Sequence, residues 1–263
     1  MLFYLIYILT GAFAGTLSGL LGIAGGIIIV PILALTLAQA NGASGLAMHM
    51  AAGTSLAAVC ITSLFSTYSH NRRHNILWHL VGKLTPGIIL GTIIGGLLAS
   101  TLSSQILVYL FASFLLIIAL YMLIYSEANS HWQLPTNLIL FFITLAIGII
   151  SGLLGVGGGV IIAPLLIVFN IPTRIAAGTS AACGISITLV GTLVYLVIGF
   201  VHTGCISLLH CGYIYWPAAV TISVASILFI PLGAFLSNYL PVVAIKKIFI
   251  LLLIVTAIKM FWN

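Results

Sequence analysis

Two glycine clusters hold the residues best suited to bind a charged solute. Ser18-Gly19-Leu20-Leu21-Gly22-Ile23-Ala24-Gly25-Gly26 returns as Ser151-Gly152-Leu153-Leu154-Gly155-Val156-Gly157-Gly158-Gly159, 133 residues later. Each copy runs into an aliphatic stretch and a proline, Pro31 or Pro164. Glycine costs roughly 1 kcal/mol against alanine inside a helix, so a duplicated cluster in apolar sequence needs a reason. A helix that breaks and restarts leaves its first amides without partners, and the partial positive charge there favours an anion. The candidate groups are Gly25, Gly26 and Ile27 in the first copy and Gly158, Gly159 and Val160 in the second. Close helix packing is the competing explanation for glycine in membrane helices. Duplication, together with short apolar runs after both clusters, favours a broken helix pair around a binding site.

A second duplicated element supplies hydroxyls. Ala51-Ala52-Gly53-Thr54-Ser55 recurs as Ala176-Ala177-Gly178-Thr179-Ser180. Thr54, Ser55, Thr179 and Ser180 are candidate donors to a small oxyanion, although such side chains also bond back to their own helix. His49 and Arg174 occupy the matching slot just before the two elements, where each is a candidate gating or anion-attracting residue. Arg72 and Arg73, with His70 and His74, form a basic rim that could concentrate anions. The seven histidines make no recognisable ligand set, so neither a metal site nor a cofactor is expected. Asp is missing and the single Glu is Glu127, which leaves no carboxylate relay for protons across the membrane centre. Cys205 and Cys211 share one polar break and are candidates for a disulfide.

These groups must be positioned by membrane helices. Of 263 residues 63% are hydrophobic and 3% are charged, against about 25% charged in a soluble domain. The mean hydropathy is +1.38. Alternating strand patterns are lacking, so the expected class is an all-α polytopic membrane protein. The net charge of +6 rests on too few scattered basic residues for a nucleic-acid partner. They read as topology markers and contacts to anionic membrane lipid. About ten apolar stretches are expected, near 2–21, 26–40, 50–69, 77–99, 105–125, 136–154, 159–170, 175–201, 213–237 and 242–262. Two of them, following the glycine clusters, are visibly short against the roughly 20 residues that a span needs.

Each half then holds five stretches, an odd number, so the repeats should insert upside down relative to each other. The expected organisation is a first repeat over 1–125, a cytoplasmic linker over 126–135 and an inverted second repeat over 136–263. Placing both termini outside puts six of the seven Lys/Arg inside and leaves the outer connections free of them, as the positive-inside rule asks. The first stretch carries a small-residue Ala12-Phe13-Ala14 sequence but no basic leader, and is expected to be a membrane segment rather than a signal peptide. Glycine segments that re-enter and glycine segments that span both satisfy this topology.

The ordered motifs S-G-L-L-G-x-x-G-G…P and A-A-G-T-S, each present twice, with His70…Trp78 after the third stretch, resemble the TauE/SafE family of membrane permeases. The resemblance covers nearly the whole chain. It implies movement of small sulfur oxyanions or organosulfonates, chiefly sulfite or sulfoacetate, across a bacterial cytoplasmic membrane. It further implies a site at Gly25, Gly26, Gly158 and Gly159 with Thr54, Ser55, Thr179 and Ser180. Ala24 departs from the second copy's Gly157, which makes the first tip the less open of the two. The expected function is a secondary transporter of a small anion, not an enzyme. A channel of the same fold, a non-transporting assembly subunit and an intramembrane hydrolase are the alternatives. The oligomeric state is open between a single copy and a homo-oligomer.

Overall fold

The computed structural model describes residues 2–21, 25–41, 45–124, 134–207, 210–236 and 242–262. Most of the central linker, with Glu127, and Gly22–Ala24 of the first glycine cluster lie outside them. Ten helices follow one another: α1 Leu2–Leu21, α2 Gly26–Asn41, α3 Ala47–Arg72, α4 Trp78–Thr101, α5 Ser104–Ile124, α6 Asn137–Leu154, α7 Gly159–Val168, α8 Thr173–Thr203, α9 Trp216–Leu236 and α10 Val242–Trp262. Each expected apolar stretch is one of these helices. In a bilayer every backbone polar group must find its partner within the chain, and helices satisfy that locally. Among the described residues six helices, α3, α4, α5, α6, α8 and α9, are long and apolar enough to cross a membrane. The chain is thus a multi-pass membrane protein. Its outer face is apolar, with Leu138, Leu228, Ile117 and Leu123 exposed, while Thr54, Ser55, Thr92, Ser151, Thr179, Ser180 and Thr188 are buried inside.

Packing is exchanged between the two halves. The most extensive helix contacts are α4 with α6 and α1 with α9. In the sequence copies α1 corresponds to α6 and α4 to α9, so these two seams are counterparts. Both are parallel and built on small residues that let backbones approach. A methyl on Gly148 would meet Ile88 O at 2.5 Å, and one on Gly152 would meet Thr92 O at 2.5 Å. In the other seam Gly15 faces Ser226 and Gly233 faces Gly19. Ser226 Oγ donates across that seam to Gly11 O at 2.9 Å.

Helix α3 crosses α8 antiparallel at the centre. Gly53 lies against Tyr195, Ser63 Oγ stands 3.5 Å from Thr188 Oγ1, and Gly178 lies against His70. Ser63 and Thr188 share the 125-residue offset of the two Ala-Ala-Gly-Thr-Ser elements, so equivalent side chains face each other at the crossing. The Gly178 contact with His70 and Asn75 brings the start of α8, with Arg174, to the end of α3 that carries Arg72 and Arg73.

Between α8 and α9 the chain forms an antiparallel sheet of three very short strands, β1 Cys205–Ser207, β2 His210–Cys211 and β3 Ile214–Tyr215. Cys205 and Cys211 face each other across β1 and β2. Cys211 is disulfide-bonded. Cys60 and Cys183 are free thiols. The turn after β2 folds back onto the bundle. Tyr213 N–H donates to Tyr195 O at 3.4 Å, and its ring packs on His49 and His202. Burial there pushes the Tyr213 phenol up from its ordinary range.

Candidate substrate site

The break between α6 and α7 depends on two left-handed glycines. Gly155 closes α6 at φ 73° and Gly158 opens α7 at φ 69°, a region that side chains disfavour. A Cβ on Gly155 would also strike Ala52. Helix α7 has 10 residues, about 15 Å of rise, or half the hydrocarbon core of about 30 Å. Gly158 O takes the N–H groups of Ile161 and Ile162 at 3.0 and 2.9 Å. The amides of Gly159 and Val160, the first of the helix, have no backbone acceptor among the described residues. Gly25 plays the same part for α2, its carbonyl taking Ile28 N–H at 3.0 Å and Ile29 N–H at 3.2 Å.

The two tips meet. A Cβ on Gly26 would stand 3.3 Å from Gly157 N and 3.5 Å from Val156 Cα, with Ser55 Oγ at 3.5 Å. Ser55 is fully buried and its hydroxyl has no hydrogen-bond partner among the described residues. Ser180, its counterpart, sits against the other tip and donates to Gly159 O at 3.3 Å. Ser151, the first residue of the second glycine motif, is also fully buried and unpartnered. Its Oγ lies 3.3 Å from where a Cβ on Gly158 would be. A small cavity of about 20 Å³ adjoins this meeting point. The hydroxyl-bearing residues Ser18, Thr62, Ser63, Ser66 and Ser180 line it beside Gly157 and Gly159.

The remaining candidates take other positions. Thr54 and Thr179 accept backbone N–H groups at the starts of α9 and α4. Tyr215 N–H donates to Thr54 Oγ1 at 3.0 Å, and Leu77 N–H to Thr179 Oγ1 at 3.1 Å. Gly25 packs on Ala14. His49 is buried with Nε2 3.0 Å from Ala99 O near the end of α4, while its counterpart Arg174 is exposed. Arg72 and Arg73 are exposed at the end of α3, the Arg72 guanidinium lying 5.9 Å above the Tyr68 ring. The structure thus joins Gly26, Ser55, Gly158, Gly159 and Ser180, and leaves His49, Arg72, Arg73 and Arg174 towards the two ends. The sequence reading passed over Ser151, Thr62 and Ser63. Ser151 opens a repeated motif, and Ser63 pairs with Thr188 at the hydroxyl element's own offset, so both signals were present.

Comparison with known proteins places this architecture. The model of the family described as "Sulfite exporter TauE/SafE" matches residues 7–260. The chain belongs to the TauE/SafE family. It is 36% identical to a probable membrane transporter protein of Haemophilus influenzae, over 98% of both chains. It is 31% identical to a probable membrane transporter protein of Methanocaldococcus jannaschii, over 86% of this chain and 80% of the relative. A Bacillus subtilis probable membrane transporter protein, YunE, is 24% identical over 76% of this chain and 80% of its own length. No solved structure matches. Family and relatives alike describe a membrane transporter.

Proposed function

We propose that this TauE/SafE member is a secondary transporter of a small anion, sulfite or an organosulfonate, working by alternating access between two inverted repeats. The observation that carries the reading is the apposition of the glycine tips at Gly26 and Gly157, with the buried, unpartnered hydroxyl of Ser55 beside them. A buried hydroxyl without a partner costs stability. A ligand that accepts from it, and from the first amides of α2 and α7, recovers that cost. Helix-terminal amides suit an anion without a cationic side chain, and broken helices around such a site are the usual build of secondary transporters. The antiparallel crossing of α3 on α8 and the exchanged seams support inverted repeats. They also gather Arg72, Arg73 and Arg174 at one end, the cytoplasmic end on this reading, with the disulfide hairpin at the other. The basic rim then raises the local anion concentration at that mouth.

The site's size calls for a conformational change. The tips themselves are in contact at Gly26, Val156 and Gly157 and leave no room between them for a pyramidal or tetrahedral oxyanion, so they must separate when substrate enters. The test is uptake into proteoliposomes with a competition panel of sulfite, thiosulfate, sulfate, sulfoacetate and taurine. Sulfite uptake that sulfoacetate competes for, with sulfate a poor competitor, is expected. No uptake of any member of the panel would contradict the reading.

A further inference from the structure

The cavity between α3, α8 and the second tip has a chemistry of its own. Its hydroxyl protons are largely committed elsewhere. Thr62 donates to Val59 O at 3.0 Å, Ser63 to Cys60 O at 2.9 Å and Ser180 to Gly159 O at 3.3 Å. Thr188, facing Ser63, donates to Gly184 O at 2.7 Å. With those donations made, each of these oxygens has only lone pairs left to offer. The Gly157 carbonyl points the same way, reaching 3.1 Å from where a Cβ on Gly184 would be. Ser18 and Ser66 complete the lining.

We propose that this cavity is a binding site for a monovalent cation of sodium's class, the coupling ion of the anion carrier proposed above, on which reading its coupling role rests. The volume of about 20 Å³ holds one water-sized guest, the size of a desolvated monovalent ion. Hydroxyl and carbonyl oxygens are hard ligands, as such an ion requires. Unwound backbone beside a broken helix is a recurring source of the carbonyl ligand. A divalent ion would need carboxylates, and none of the residues lining this cavity is an Asp or Glu. Gly157 belongs to both sites: its N faces Gly26 and its carbonyl faces the cavity. A cation on the carbonyl side and an anion on the amide side therefore attract each other across a single tip. Each raises the other's affinity, as linkage demands.

The experiment measures the cation alone. Purified protein in detergent, with gluconate as the sole anion, is melted in sodium, lithium, potassium and choline salts. Sodium should raise the melting temperature in a saturable way, with choline inert, and radiolabelled sodium should be retained. In Ser63→Ala the half-saturating sodium concentration should rise at least about tenfold. Thr62→Val serves as the second variant should Ser63→Ala fail to fold. Equal melting in all four salts, with no retained sodium, would mean that the cavity holds water and would overturn the proposal. An unchanged sodium response in both variants would overturn it equally, by placing the ion elsewhere. Because no transported anion is present, sodium binding that survives while all flux is missing would count against the anion reading only.

Discussion

At the scale of single residues, the hydroxyls of the two Ala-Ala-Gly-Thr-Ser elements divide their work by neighbour. Thr54 and Thr179 each accept a part-buried backbone N–H, from Tyr215 and Leu77 respectively. Removing such an acceptor costs about 1–3 kcal/mol. Thr54→Val should therefore lower the melting temperature in detergent, while Thr54→Ser, which keeps the oxygen, should stay near wild type. Ser55 and Ser151 stand the other way round, buried but unpartnered. Ser55→Ala should leave the melting temperature unchanged and cut flux about 10- to 100-fold, the worth of one hydrogen bond to a charged group. A Ser55→Ala protein that melts lower and transports normally would reverse these assignments. The sequence named Thr54, Ser55, Thr179 and Ser180, not Ser151, and could not separate the threonines from the serines, because the separation depends on what α4 and α9 bring alongside.

At the scale of elements, the glycines of one motif serve three purposes that spacing alone does not distinguish. Gly152 packs α6 on α4, Gly155 turns the chain at φ 73°, and Gly158 and Gly159 open α7. Packing and binding, competing explanations in the sequence, are both present at different letters. Gly152→Ala pushes a methyl to 2.5 Å from Thr92 O, backbone that cannot swing aside. It should destabilise by about 1–3 kcal/mol, seen as a lower thermal midpoint. Gly82 also sits on α4 but has open space around its Cβ position. Gly82→Ala should be neutral or stabilising by up to about 1 kcal/mol. Equal losses at both positions would show that the α4–α6 seam is looser than described. Helix positions were legible because hydropathy in lipid dictates them. The hairpin at 205–215 was not, since its strands are two or three residues long and held by the disulfide and the bundle rather than by any sequence period.

At the scale of the whole molecule, charge and covalent chemistry point the same way. The end of α3 with Arg72 and Arg73 meets the start of α8 with Arg174, while the hairpin with the disulfide-bonded Cys211 caps the region around His49 and Tyr213. Disulfides persist in oxidising compartments and basic residues collect in the cytoplasm. Intact cells carrying Cys60→Ser and Cys183→Ser should accept an impermeant maleimide at Cys205 and Cys211 only after impermeant reductant. A cysteine placed at Arg73 should react only after permeabilisation. Labelling of both from outside would refute the orientation. The exchange of helices between halves was legible only as two repeated motifs. Which helix packs on which is set by small-residue seams, whose partners a one-dimensional reading cannot pair.

The central claim is that substrate passes between the two glycine tips, and counterflow tests it most directly. Proteoliposomes preloaded with unlabelled sulfite and diluted into a trace of labelled sulfite should transiently accumulate label, as a carrier does and a pore does not. Gly26→Val, whose Cβ would stand 3.3 Å from Gly157 N, should abolish that accumulation while the protein remains folded by size-exclusion and melting. Accumulation in Gly26→Val equal to wild type would contradict the account.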